Sequence, residues 1–367
     1  MITSTIHPIA RAGLALARHL RLLPRALVLA TLLVPPFSAH ADDAADPPLD
    51  LERDDVRAFI DAMVDRHAID ASTVESLLAT ARTRQSIIDA ITRPAEALPW
   101  HRYRAIFLGD ERIDAGVDWW NAHADMVSAA AERHGLDPAI LVAVIGVETY
   151  YGRFRGRHRV IDALATLAFD YPRRGAFFQR ELEEFLLLVD EEDLDPLNVL
   201  GSYAGAMGIP QFIASSYRAY AVDGDGDGRR DLLDNIADAT ASVGNYFQRH
   251  GWRLDEEVTL RAAAPADADA IAELINQGRR PYTTIGALRD AGIAAADAGQ
   301  QARLDALDDD APATLMALDG NDGTEYWIGL HNLFVITQYN HSVLYALAVF
   351  QLAEAIRDRR ETLAGDA

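Results

Sequence analysis

Residues 137–152 read DPAILVAVIGVETYYG, and no other stretch limits the fold as tightly. Asp137 is a strong N-cap, Pro138 suits the first helical position, and Gly152 suits the stop, so one helix is expected between them. The residues inside are nearly all apolar. A helix that is apolar on every side has no face to give to water and must be wrapped by other elements. It is also too short to cross a bilayer. Glu148 is the single acid within it, sharing a face with Leu141, Val144 and Ile145 at helical spacing. Burial disfavours a charged carboxylate and raises its pKa. An acid still protonated near neutral pH is suited to protonating a glycosidic oxygen. A structural glutamate, hydrogen-bonded and paired with an arginine such as Arg153 or Arg155, fits the same pattern.

The rest of the chain supplies ample wrapping. Of 367 residues half are hydrophobic and a quarter charged, an ordinary globular balance. The net charge is −22 and every basic side chain other than histidine is arginine. So acidic a chain repels phosphate backbones, which argues against general nucleic-acid binding. Cysteine is absent, which excludes disulfides, thiolate metal sites, cysteine nucleophiles and a lipid anchor on cysteine within this sequence. Arg11, Arg18, Arg21 and Arg25 precede a short apolar run over 26–34, Pro35-Pro36, and Ala39-His40-Ala41. This is the pattern of an export signal cleaved after Ala41, with the mature chain starting at Asp42 and periplasmic. An N-terminal membrane anchor is the other reading, though the run is short for it.

Helical periodicity begins at Val56, Phe59, Ile60 and Met63, and Ser72-Thr73 introduces a second helix. A helix through Trp119 and Trp120 should run to about Gly135. Further helices are expected over 176–190, after the Gly-rich stretch from 200, over 236–249, and continuously over about 332–359. From 255 the texture changes to β-leaning runs at 258–260, 282–285, 313–316 and 326–328, separated by Asp/Ala/Gly turns. The fold class expected is α+β, mainly α. The expected organisation is a signal over 1–41, an N-terminal helical region over 42–130 and a core over 131–254. A small, mainly β region over 255–331 and a helix returning to the core over 332–367 follow.

Residues 223–234 read DGDGDGRRDLLD. Asp223, Asp225 and Asp227 stand at positions 1, 3 and 5 of an EF-hand-like loop and Gly228 at 6. Arg229 offers its carbonyl at 7, Asp231 stands at 9 and Asp234 at 12. A structural Ca²⁺ is expected, held more weakly than usual because aspartate replaces the closing glutamate. The alternative is an acidic turn with no ion.

Four blocks carry a family resemblance: IGVETYYGRFRGRHRVIDALATLAFDYPRR (145–174), GSYAGAMGIPQFIASSYRAYAVDGDGDGRRDLLD (201–234), SVGNYFQRHGW (242–252), and YWIGL with FVITQYNHSVLYALAVFQL (326–352). In order and spacing they resemble the lytic murein transglycosylase B family, over most of 50–355 and most weakly over 255–315. The resemblance implies a core similar to goose-type lysozyme and cleavage of peptidoglycan glycan strands, with Glu148 as the single catalytic acid and base. It implies that Ser202, Gln211 and Phe212 line the glycan groove and that Arg173 and Arg174 hold peptidoglycan. Tyr246, Tyr339, Asn340 and Tyr345 complete the site. No cofactor is needed for the chemistry, no membrane span is expected, and any protein partners would belong to cell-wall synthesis or turnover. Membrane-bound members carry a lipidated cysteine that this sequence lacks, which implies a soluble periplasmic protein; GIPQF stands where the family has GYGQF or similar. Asp162, Asp170 and Glu181 are the candidates for a second acid, and none has an obvious catalytic setting. The implied reaction is non-hydrolytic, leaving 1,6-anhydro-MurNAc ends. A non-catalytic calcium-stabilised glycan-binding protein and a hydrolytic muramidase are the rival readings.

Overall fold

The computed structural model describes residues 46–92, 98–266 and 271–365. The export signal expected over 1–41 lies outside them. The fold is mainly helical, as expected, and it is organised around the apolar segment. That segment is α7 (Pro138–Thr149), in which every residue from Ala139 to Thr149 is buried. The Asp137 carboxylate caps its first turn by accepting the Ala139 N–H at 2.8 Å. α5 (Asp110–Ala122), α6 (Ala124–His134), α11 (Ile236–Arg249) and α15 (Val343–Gly365) pack against α7.

Ahead of this bundle come α1 (Asp54–His67), α2 (Ala71–Leu78), α3 (Gln85–Thr92) and α4 (Trp100–Ala105). They share one hydrophobic core with it, from Leu49 to Ile356. Val56, Phe59, Ile60 and Met63 are the buried stripe of α1, as their spacing predicts. α8 (Val160–Asp170), α9 (Gly175–Glu191) and α10 (Ala214–Tyr220) flank the middle of the chain, and β1 (His158–Arg159) pairs antiparallel with β2 (Leu200–Gly201). Buried carboxylates stitch the N-terminal helices to this layer. Glu183 of α9 takes Arg66 at 2.6 Å and His67 at 2.7 Å.

The β-leaning runs form one antiparallel sheet in the order β3-β6-β5-β4: β3 (Thr259–Ala262), β4 (Thr283–Thr284), β5 (Pro312–Asp319) and β6 (Thr324–Gly329). Its own small apolar cluster includes Leu260, Leu315 and Ile328. Two short helices not expected from sequence, α12 (Ile285–Asp290) and α13 (Ala298–Asp305), sit between β4 and β5. Both are capped from their own sequence, by Thr284 and Asp297.

Three helix boundaries differ from the sequence expectation. The helix through Trp119 breaks at His123, which closes α5 with its own N–H and rests its ring 4.9 Å from Trp119. α7 stops at Thr149, three residues before Gly152, because Tyr150 and Tyr151 both take left-handed backbone (φ 51° and 61°). Tertiary contacts hold this unusual pair. The Tyr151 hydroxyl donates to Arg112 O at 2.9 Å, and its ring fills the space beside Gly146, where a Cβ would come within 2.7 Å of it. The buried Arg112 donates to Gly146 O at 2.6 Å and covers the Tyr150 ring at 4.5 Å. Finally, the C-terminal helix is two helices, α14 (His331–Tyr339) and α15, bent by 108° at residues 340–342. Asn340 is extended there, and the Ser342 hydroxyl accepts the Tyr345 N–H at 3.4 Å to start α15. No single helix among the described residues is long and apolar enough to cross a membrane.

Candidate active site

The end of α7 is fastened to the Gly-rich loop before α10. The Thr149 hydroxyl donates to Ile209 O at 2.9 Å and accepts the Gly152 N–H at 2.9 Å. The loop can lie this close because Gly208 has φ 75° and no side chain; a Cβ there would be 2.3 Å from Leu232 O. Gln211 is then forced into left-handed backbone at φ 53°. Its amide donates to Gly208 O at 2.9 Å and Arg155 O at 3.1 Å, which leaves the buried Oε1 without a protein partner.

Beside this loop opens a cleft of about 1180 Å³, lined in part by Glu148, Gln211, Phe212, Tyr246, Tyr339 and Asn340. That volume exceeds the roughly 300–1,000 Å³ of small-molecule pockets and suits an oligomer. Glu148 is 5 % exposed. Burial pushes its carboxyl up from 4.5 to about 8, against a smaller downward pull from the Tyr345 hydroxyl, which donates to Oε1 at 2.6 Å. Tyr345 is held in turn, its ring stacked 6.4 Å from that of Tyr339. The Tyr339 hydroxyl donates to Pro210 O at 2.6 Å, and the Tyr246 hydroxyl to Gln338 O at 2.7 Å. The rings of Phe212, Tyr246 and Tyr339 meet at 4.9–5.7 Å. Asn340 is 5 % exposed, and neither end of its amide has a partner within the protein. A buried amide left open in this way is ready to take an amide-bearing ligand.

Of the expected site residues, Arg174 also lines the cleft, its guanidinium 4.3 Å over the Phe177 ring. Arg173 is exposed and is not on the cleft wall. Tyr345 reaches the site from behind Glu148. Ser202 is buried, and its hydroxyl oxygen accepts the N–H groups of Ala204 and Ala206 at 3.3 and 3.1 Å, so it shapes the Gly-rich turn. Arg155 pairs with Asp234 at 2.6 Å and Arg153 lies over Tyr150. Among the described residues lining the cleft, Glu148 is the only carboxylate. Asp162 bonds Arg82 N and Arg84, Asp170 pairs with Arg53, and Glu181 accepts the backbone N–H and hydroxyl of Ser215.

In the acidic loop, Asp223, Asp225 and Asp227 bring carboxylate oxygens within 4.8 Å of one another. Asp223 accepts the Gly226 and Gly228 N–H groups, and Asp227 accepts that of Arg229. Asp231 caps the N–H groups of Leu233 and Asp234. Asp234 is outside the three-carboxylate group and faces Arg155. The fully buried Asp238 joins the two ends of the loop through Gly224 N and Asp231 N, each at 2.7 Å. Three converging carboxylates are a donor set suited to a hard, oxygen-seeking cation.

Sequence reasoning missed the part of the cleft built by the β region, which contributes Asn276, Arg279, Met316 and Leu318. It also missed His341 and Ser215. A doubled arginine after glycine in NQGRRPY is the one local signal, and nothing near it in sequence points to residues 148 or 174.

The geometry can be set beside known proteins. Residues 52–354 match the Transglycosylase SLT domain family. The chain is 40% identical over 308 residues to membrane-bound lytic murein transglycosylase B of Escherichia coli (strain K12), covering 81% of each. Its fold is similar to that of catenated lytic transglycosylase SltB1 from Pseudomonas aeruginosa, with a TM-score of 0.78 and 45% identity over 84% of this chain and 98% of that one. It is also similar to the E. coli lytic transglycosylase Slt35 in complex with calcium, with a TM-score of 0.75 and 38% identity over 87% and 98%. Agreement over this length, in sequence and in fold alike, makes the chain a member of the lytic murein transglycosylase B family.

Proposed function

We propose that this protein is a peptidoglycan lytic transglycosylase that cleaves the MurNAc-β-1,4-GlcNAc bond without water, with Glu148 serving as both acid and base. The observation that carries the reading is one buried carboxyl, pushed up to about 8, as the only acid among the described residues lining a long cleft. Hydrolases of the usual kind use two carboxylates across the bond. A lone acid suits a reaction in which the substrate supplies the second group.

Glu148 is protonated at neutral pH and donates to the glycosidic oxygen as the C1–O bond breaks. The GlcNAc leaves with that proton, and the N-acetyl group of MurNAc stabilises the positive centre at C1. Glu148, now a carboxylate, receives the Tyr345 hydrogen bond. It takes the proton from the C6 hydroxyl of MurNAc as that oxygen closes on C1. The 1,6-anhydro ring forms, and the acid is restored. Phe212, Tyr246 and Tyr339 offer apolar rings to sugar faces, and Gln211 and Asn340 offer open amide groups to the acetamido substituent. Arg173 and Ser202 act from outside the cleft wall, through the peptide side of the substrate and the shape of the Gly-rich turn.

The loop over 223–234 is read as a structural Ca²⁺ site, held by Asp223, Asp225 and Asp227 with Arg229 O, Asp231 and Asp234 completing it. The substrate places the protein in the periplasm, reached through the leader over 1–41. The test is digestion of purified sacculi followed by mass analysis. Wild-type protein should release fragments ending in 1,6-anhydro-MurNAc, one water lighter than hydrolysed ones. Glu148→Gln should lose about 10⁴ in rate or more, since one residue serves both steps. Reducing MurNAc ends would identify a muramidase instead, and an active Glu148→Gln would remove Glu148 from the chemistry.

A further inference from the structure

α10 begins without the kind of residue that usually begins a helix. Its N-cap position is Ile213, whose backbone is extended as a cap requires (φ −72°, ψ 161°) and whose carbonyl accepts the Tyr217 N–H at 2.9 Å. The side chain has no oxygen for the N–H groups of the first turn, and isoleucine is among the poorest residues at this place. The acceptor comes instead from another helix. Glu181 of α9, 5 % exposed, accepts the Ser215 N–H on Oε2 at 3.0 Å and the Ser215 hydroxyl on Oε1 at 2.8 Å. Ser215 is the second residue of α10, and its N–H is one that an N-cap side chain normally takes. A carboxylate here also meets the positive end of the helix dipole. Further along, Arg218 of α10 pairs with Glu184 and Glu191, so α9 grips α10 beyond its first turn as well.

The side chain at 213 is used elsewhere. Ile213 is half-buried and lines the cleft with Ser216, Ala219 and Tyr220, which follow it at helical spacing on one face of α10. Ala214 and Tyr217 turn into the core, and Ser215 and Arg218 face α9. A serine or aspartate at 213 would fold its short side chain back onto the first turn. That stretch of cleft wall would then lose its apolar group.

We propose that Glu181 is a positioning residue that caps α10 in place of Ile213, so that Ile213 can present an apolar side chain to a sugar ring of the bound glycan. This rests on the peptidoglycan reading above and adds to its cleft one residue that touches sugar and one that holds it from behind.

The test compares wild type with Glu181→Gln, Ile213→Ser and the two together. Each is read by melting temperature and by calorimetric affinity for chitotetraose, measured well below melting. Glutamine keeps one acceptor and sets an amide NH₂ against a donor of Ser215. Glu181→Gln should therefore lower the melting temperature and, as the wall at 213 loosens, weaken chitotetraose by about threefold. Ile213→Ser should weaken it by about tenfold, the scale of one apolar side chain withdrawn from contact. Its melting temperature should hold or rise, because serine caps the helix locally. In the double variant the melting temperature should return towards wild type while affinity stays low. The same rescue counts in favour if Glu181→Gln alone does not fold. Unchanged affinity in Glu181→Gln would make Glu181 a structural cap only, and unchanged affinity in Ile213→Ser would remove the sugar contact; either overturns the proposal. So does a double variant no more stable than Glu181→Gln, since the two positions would then not share one role. Binding needs no turnover. A wild type that showed the expected pattern yet left sacculi intact would sink the transglycosylase reading and leave this one standing.

Discussion

Replacing Glu148 by glutamine should make the stability of the protein less sensitive to pH. The Glu148 carboxyl is raised to about 8 in the folded chain from an ordinary 4.5. Below pH 4.5 both folded and unfolded states hold the proton, and its contribution to stability is complete. As pH rises, the unfolded chain releases the proton while the folded chain keeps it, so stability drains away until the folded group ionises near pH 8. Each pH unit in that window costs about 1.4 kcal/mol, so the wild type should lose about 3 kcal/mol by pH 7. The glutamine variant has no proton to lose there and keeps an oxygen to accept from Tyr345. Urea unfolding of both proteins from pH 4.5 to 7 isolates the effect, because every other titrating group is common to the two. The difference in unfolding free energy should grow steadily in favour of the variant. A difference independent of pH would mean that Glu148 ionises in the folded protein as an ordinary carboxylate, and the account of its burial would fail.

Tyr345→Phe removes the donor that favours the charged carboxyl, so the alkaline limb of the kcat/KM profile on glycan strands should move to higher pH; an unmoved limb would separate Tyr345 from the titration of Glu148. Calcium should raise the melting temperature and a chelator lower it, as mass action requires of an ion bound only by the folded state. Asp223→Ala with Asp227→Ala should abolish that response, and identical melting curves in all conditions would dismiss the ion.

The parts of this molecule that could be read from sequence are those in which a local signal and the tertiary environment agree. Asp137 caps α7 and the apolar run behind it is buried throughout, because the same residues that start the helix also fill the core. The β-leaning runs after 255 supply the strands of one antiparallel sheet. Departures arise where distant residues decide. Gly152 is the better local stop, yet Arg112 and the space beside Gly146 draw Tyr150 and Tyr151 out of the helix first. The turn between α14 and α15 carries neither glycine nor proline, so nothing in Tyr339-Asn340-His341-Ser342 announces it. The same rule divides the site. Glu148 was visible as an acid in an apolar helix, whereas the place of Arg279 depends on pairing between Ile275 and Leu315, which no local pattern encodes.

The hydrogen bond from Tyr345 to Glu148 spans 197 residues of chain. A polypeptide is made and emerges from its N-terminus, so Glu148 exists long before the hydroxyl that steadies it. Until α15 arrives, α7 also lacks one of its walls and stays open to water, which would leave its carboxyl an ordinary, ionised one. A partly emerged or prematurely ended chain would thus carry the acid without the surroundings that make it one. On the mechanism proposed above, order of synthesis would withhold cutting power from the protein until its last long helix has docked.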